Sequence, residues 1–176
     1  MKIIDMEVTR LLKETRKPTA NPGGGAVVIL IGALAVNLIR MMDRVSHETL
    51  DVISQRLEEL IQEDVDVTND LLRAYKQGVA DEEIFLKAAD PQIELVDLCI
   101  KALEQISEII EKGRKETLSD GIIANNLLLE IIKDAMPTIE VNLINTSKEY
   151  DYEGKVSLAS QLHLKNTQII ERRKQV

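Results

Sequence analysis

The positions best placed to do chemistry in this sequence begin with bare backbone. Asn21-Pro22-Gly23-Gly24-Gly25-Ala26 sets three glycines where a helix should begin. Asn21 suits an N-cap and Pro22 suits the first helical position. Each glycine costs a helix about 1 kcal/mol relative to Ala, so local stability does not account for three in a row. Exposed backbone lets a ligand or a neighbouring helix approach closely. The free N–H groups and the positive end of the helix dipole also suit an anion. Close helix–helix packing with no ligand explains the glycines equally well. No Gly-Lys-Ser/Thr follows, so this is not a phosphate-binding loop.

The second position is Asp64. At about 100° per residue, Ile53, Leu57, Leu60, Ile61, Thr68, Leu71, Leu72 and Tyr75 form one helical stripe. Asp64 falls near the centre of that stripe, and Asp66 points the other way. A carboxylate on a buried stripe is costly unless it is paired or functional. A third position is Ser119-Asp120, whose plainer reading is a helix N-cap. A fourth is Asn142, inside the apolar run Ile139 to Ile144, where an interhelical hydrogen bond is the simplest expectation. His47 and His163 stand apart, and with the lone Cys99 they make no metal site. Cys99 shares a stripe with Val96, Leu103 and Ile106 and reads as core. No serine or cysteine has a nucleophile context.

These positions must be held by helices. The apolar content of the 176 residues is Leu, Ile, Val and Ala, with no Trp, one Phe, three Tyr and only four Pro. That composition leans helical and allows long uninterrupted elements. The length suits a single domain, 1–176, with a real core. The periodicity predicts helices over about 6–14, 23–45, 48–77, 81–89, 91–112 and 155–173, with a further one opening near Ser119-Asp120. Ser46 would cap the third, Gly78 and Gly113 would stop helices, and Pro137 would kink or break one. Residues 145–154 read as a loop. No period-two strand and no internal repeat is visible. The expected fold class is all-α, a multi-helical bundle around a central apolar helix, dimerising through its helices.

Charge and hydropathy exclude several functions. A net charge of −8 and a pI of about 4.9 argue against a nucleic-acid surface, which needs a basic face. Gly23 to Ile39 is the most apolar stretch, but Asn37 interrupts it and Arg40 ends it. It falls short of the ~20 residues of a membrane span and is expected as a core helix surrounded on all sides. Met1 to Thr9 mixes acids with apolar residues, unlike a signal peptide. The single cysteine allows no intrachain disulfide and fits a reducing, cytoplasmic setting.

Lys17-Pro18-Thr19 to Ala35 resembles the Pro-Thr-Pro-Gly-Gly-Gly-Ser start and Ala/Gly-rich helix of the formimidoyltetrahydrofolate cyclodeaminase and methenyltetrahydrofolate cyclohydrolase family. Glu63-Asp64 through Ala74-Tyr75-Lys76 is similar to that family's Glu-Asp … Ala-Tyr-Lys helix. Ser119-Asp120 and Val141-Asn142-Leu143 resemble its Ser-Asp … Asn-Val-x-Ile-Asn-Leu stretch. Ala26 stands where the family most often has Ser, Thr138 where it has Asn and Asp134 where it has Gly. The route from Met42 to Asp64 is several helical turns shorter. The resemblance implies an all-helical homodimer with a folate site between subunits or in a cleft. It implies ring closure of formimidoyltetrahydrofolate with loss of ammonia, or hydrolysis of methenyltetrahydrofolate. The tetrahydrofolate derivative would be the substrate, with no further cofactor and no nucleic-acid or membrane partner. On that resemblance Asp64 and Asp120 become candidate acid–base groups. Gly23, Gly24, Gly25, Tyr75, Lys76, Ser119 and Asn142 become candidate ligand contacts. Lys13, Arg16 and Lys17, just before the glycines, suit the glutamyl carboxylates of folates. The alternative is a diverged, non-catalytic helical dimer on the same scaffold, binding another small molecule or a partner protein.

Overall fold

The computed structural model describes residues 2–19, 21–42 and 47–175. After a 3-10 turn at Ile3–Asp5 come six α-helices: α1 Val8–Glu14, α2 Gly24–Met41, α3 Glu48–Gln77, α4 Glu82–Lys112, α5 Leu118–Leu143 and α6 Tyr152–Lys174, with a second 3-10 turn, Lys115–Thr117, leading into α5. No strand occurs among the described residues. The all-α bundle is the architecture that the apolar periodicity demands. α2 lies against α3 and α5 with α4 beneath it, and α6 covers the groove between α4 and α5.

α3 spans the expected residues, and Gly78 closes it at φ 68°, a conformation that glycine adopts without strain. Asp81 starts α4 by accepting from the Ile84 N–H. Ser46, the expected cap of α3, lies outside the described residues. The predicted break between 89 and 91 does not occur, because α4 runs straight through Pro91. α5 likewise continues through Pro137. The Asn142 amide donates to the Ala88 carbonyl on α4 (3.2 Å) and to the Thr138 carbonyl on its own helix (3.1 Å). The carbonyls that lose an intrahelical donor to Pro91 and Pro137 are those of Lys87 and Lys133, so the Asn142 amide ties α5 to α4 and does not replace the missing donors.

α2 departs from expectation in two ways. Its N-cap is Gly23, not Asn21, and Asn21 instead exchanges amide hydrogen bonds with Asn69 of α3. It is also not surrounded on all sides. Ala26, Ile29, Ala33, Ala35, Val36 and Ile39 are buried, but Leu34 and Met41 are 55% and 56% exposed. α2 is long and apolar enough to cross a membrane by length and composition, yet its buried half is packed on three helices of the bundle.

A polar knot ties α6 to the core. Asn166, fully buried, donates to the Leu103 carbonyl and to Asn125 Oδ1 (both 3.0 Å) and accepts from the Ser107 hydroxyl. The Asn125 amide reaches the His163 carbonyl at 3.2 Å and the Thr167 hydroxyl at 3.3 Å. Truncating Asn166 strands polar atoms on two other helices without access to water. Asn166→Ala should therefore lower unfolding free energy by about 1–3 kcal/mol, read by urea denaturation at neutral pH.

Candidate functional site

α3 delivers Asp64 to the start of α2. Its stripe of Ile53, Leu57, Leu60, Ile61 and Val65 is buried, and Asp64 shares that face at 5% exposure, whereas Asp66 is exposed. The outer part of the expected stripe is not core. Leu72 and Tyr75 lie largely in solvent, where α3 extends past the start of α2.

The Asp64 carboxylate accepts the backbone N–H of Ala26, in the first turn of α2. It also accepts from the Gln92 side-chain amide at 2.7 Å, and Gln92 is completely buried on α4. One carboxylate therefore joins three helices. The anion that the glycine-rich helix start takes is the protein's own: it satisfies an N–H with no intrahelical acceptor and meets the positive end of the dipole. Gly25 makes the approach possible. A Cβ there would sit 2.5 Å from Asp64 Oδ1 and 2.7 Å from Gln92 Nε2.

Burial pushes the Asp64 carboxyl above its ordinary range, and the Gln92 amide and the Ala26 N–H oppose that shift. Among the described residues no charged side chain bonds to it. The nearest guanidinium in sequence, Arg56, is committed elsewhere: it bridges Glu63 and Glu94, with Glu59 beside it. Gln92 escaped the sequence reading, because a glutamine after Asp90-Pro91 looks like a helix start and not like a core residue. Its only sequence signal was its neighbours, since Ala88, Ala89, Leu95 and Val96 are all buried on the same helix.

The other candidate residues divide into two groups. Asn142 lies at the same end of the bundle, bonded one helical turn before Gln92. Tyr75 packs edge-on against Phe85, and Lys76 is exposed; both stand three turns beyond Asp64 on α3. Gly23 is the half-buried N-cap. Gly24 is exposed, with no neighbouring atom where a Cβ would go. Ser119 and Asp120 sit in the first turn of α5, whose cap is Thr117 and not Ser119. That turn adjoins the other end of α2, where the Thr117 hydroxyl donates to the Met42 carbonyl at 2.9 Å. α2 has 18 residues, so at about 1.5 Å per residue roughly 27 Å separates Asp120 from the Asp64 end within one chain.

The formiminotransferase-cyclodeaminase family model matches residues 7–159. Among solved structures, the formiminotetrahydrofolate cyclodeaminase of Thermotoga maritima superposes with a TM-score of 0.77 at 18% identity, covering 99% of this chain and 96% of that one. No curated protein matches the sequence.

Among the three glycines the geometry singles out Gly25 as the one that must lack a Cβ. Gly25→Ala should lose about 1–3 kcal/mol, because Asp64 and Gln92 must shift to admit the methyl group. Gly24→Ala should be neutral or slightly stabilising, as expected for an open helical site. Paired urea titrations of the two variants check both outcomes.

Proposed function

Because the chain belongs to the formiminotransferase-cyclodeaminase family, we propose that it acts on a one-carbon derivative of tetrahydrofolate. The reaction is ring closure of the formimidoyl form with release of ammonia, a lyase step, or the related hydrolysis of the methenyl form. The observation that carries this reading is Asp64: a carboxyl on a buried face, at the glycine-rich start of α2, with burial raising its proton affinity and two donors holding it in place. In ring closure the N10–carbon bond forms and the carbon–amine bond breaks, so a proton must reach the leaving nitrogen. A carboxyl whose proton affinity is raised by burial can deliver that proton, or its ionised form can take one from attacking water in the hydrolysis. Gly23, Gly24 and Asn142 line the same end and are the proposed ligand contacts; Tyr75, Lys76 and the basic residues before the glycines would meet the substrate's polar tail. A cytoplasmic setting suits the buried thiol of Cys99.

Ser119 and Asp120 need a second subunit to take part, since α2 holds them at its far end. The exposed face of α2, which carries Leu34 and Met41, is the proposed contact of a homodimer. It has no charged residue before Arg40. One observation favours the alternative of a diverged, non-catalytic scaffold: the carboxylate's hydrogen bonds are already made within the chain.

Two measurements separate the readings. Reduced folates should bind in calorimetry, and the methenyltetrahydrofolate absorbance should change on turnover. Asp64→Asn keeps the shape and should cut turnover by ~10²–10⁴ with folding and folate affinity retained. A wild type without folate turnover, together with an Asn variant of equal or greater stability, establishes the scaffold reading instead. Light scattering at micromolar protein should give a dimer, and Leu34→Lys should give a monomer of unchanged helical content.

A further inference from the structure

Gln92, fully buried, hydrogen-bonds Asp64, and the acceptor of its amide is unused. Nε2 donates to Asp64 Oδ1, while Oε1 is buried and has no hydrogen-bond partner. An orphaned buried acceptor destabilises a fold, so an apolar residue would be the simpler choice for packing alone. The amide is nearly symmetric in shape, and Gly25 leaves the space beside it free of a Cβ.

We propose that Gln92 is a two-way positioning residue for Asp64: it donates Nε2–H to the carboxylate, and turns its amide over to accept at Oε1 once Asp64 carries a proton. In both states the pair keeps one mutual hydrogen bond and leaves one amide atom unpartnered. Proton uptake at Asp64 therefore changes no hydrogen-bond count in the core. Other residues at this position would favour one form. A lysine would lock the carboxylate, a glutamate would add a second charge, and a leucine would leave the charged form held by the Ala26 N–H alone. The proposal rests on the reading of Asp64 as a group that moves a proton, and it identifies what keeps that group in place through both halves of the cycle.

No other charge competes for the role. On α3, Glu63 is held by Arg56, and Asp66 accepts from Gln62. On α4, Asp90 pairs with Lys148 and Glu94 with Arg56. α2 has no charged side chain before Arg40, and its contribution is the Ala26 N–H.

The test reads the carboxyl and the amide directly, so it does not depend on turnover. Wild-type protein carrying 13C-aspartate and 15N-glutamine is titrated by NMR. Asp64 is assigned with Asp64→Asn, and Gln92 is assigned through its proximity to Gly25. The Gln92 side-chain N–H signals should shift with the same midpoint as the Asp64 carboxyl carbon. Gln92→Met should raise that midpoint by about one pH unit, since a donor to the charged form is gone. The acid limb of any folate turnover should move with it. Gln92 signals that stay fixed while Asp64 titrates overturn the proposal, as does an unchanged or lowered Asp64 midpoint in Gln92→Met. If that variant does not fold, the wild-type titration decides alone. A wild type that lacks folate turnover but shows the coupled titration refutes the enzymatic reading and leaves the Asp64–Gln92 exchange standing.

Discussion

The contact between the Asp64 carboxylate and the first turn of α2 is the constraint on which the rest of this fold turns. It is the one place where α2, α3 and α4 meet through polar atoms, and each helix gives what the others lack. α3 supplies a charge that cannot reach water, α2 supplies an unsatisfied N–H and the positive end of its dipole, and α4 supplies an amide. A Cβ at Gly25 would disturb this arrangement, because the approach of the carboxylate depends on its absence. Gly25 is therefore better understood as room for a carboxylate than as flexibility.

Around this contact the bundle uses side-chain amides to tie one helix to another. Asn142 on α5 bonds the Ala88 carbonyl of α4 and the Thr138 carbonyl of its own helix, and so ties two proline-containing helices together. Asn166 and Asn125 do the corresponding work for α6, tying its backbone and side chains to α4 and α5. Each of these asparagines has its amide donors used. Gln92 is the exception, with an acceptor left over beside the only carboxylate that is buried among the described residues. That imbalance sets it apart from the structural amides.

α2 shows how far a local pattern reaches. Its apolar content placed it in the interior, and half of it is there. The other half faces outward with Leu34 and Met41, because α3 and α5 flank the helix and α4 closes only one side. An unbroken apolar helix records that both faces avoid water. It does not record whether the second face is covered by the same chain.

The sequence by itself determined the helical class, the extent of α3, the turn at Gly78, and the choice of Asp64 as the polar residue on an apolar face. Those features depend on periodicity and on residue types with sharp local preferences, which are properties of neighbours along the chain. It also carried the family, through motifs spread over most of its length. Tertiary structure decided the rest. It made one helix out of 82–112, where packing of α4 against α2, α3, α5 and α6 outweighs the one hydrogen bond lost at Pro91. It chose Gly25 over Gly24, since a close approach depends on which side of the helix start the carboxylate occupies. It set Ser119 and Asp120 at the far end of α2 from Asp64, and it buried Gln92. Each of these is a matter of distance between segments, and no local preference encodes it.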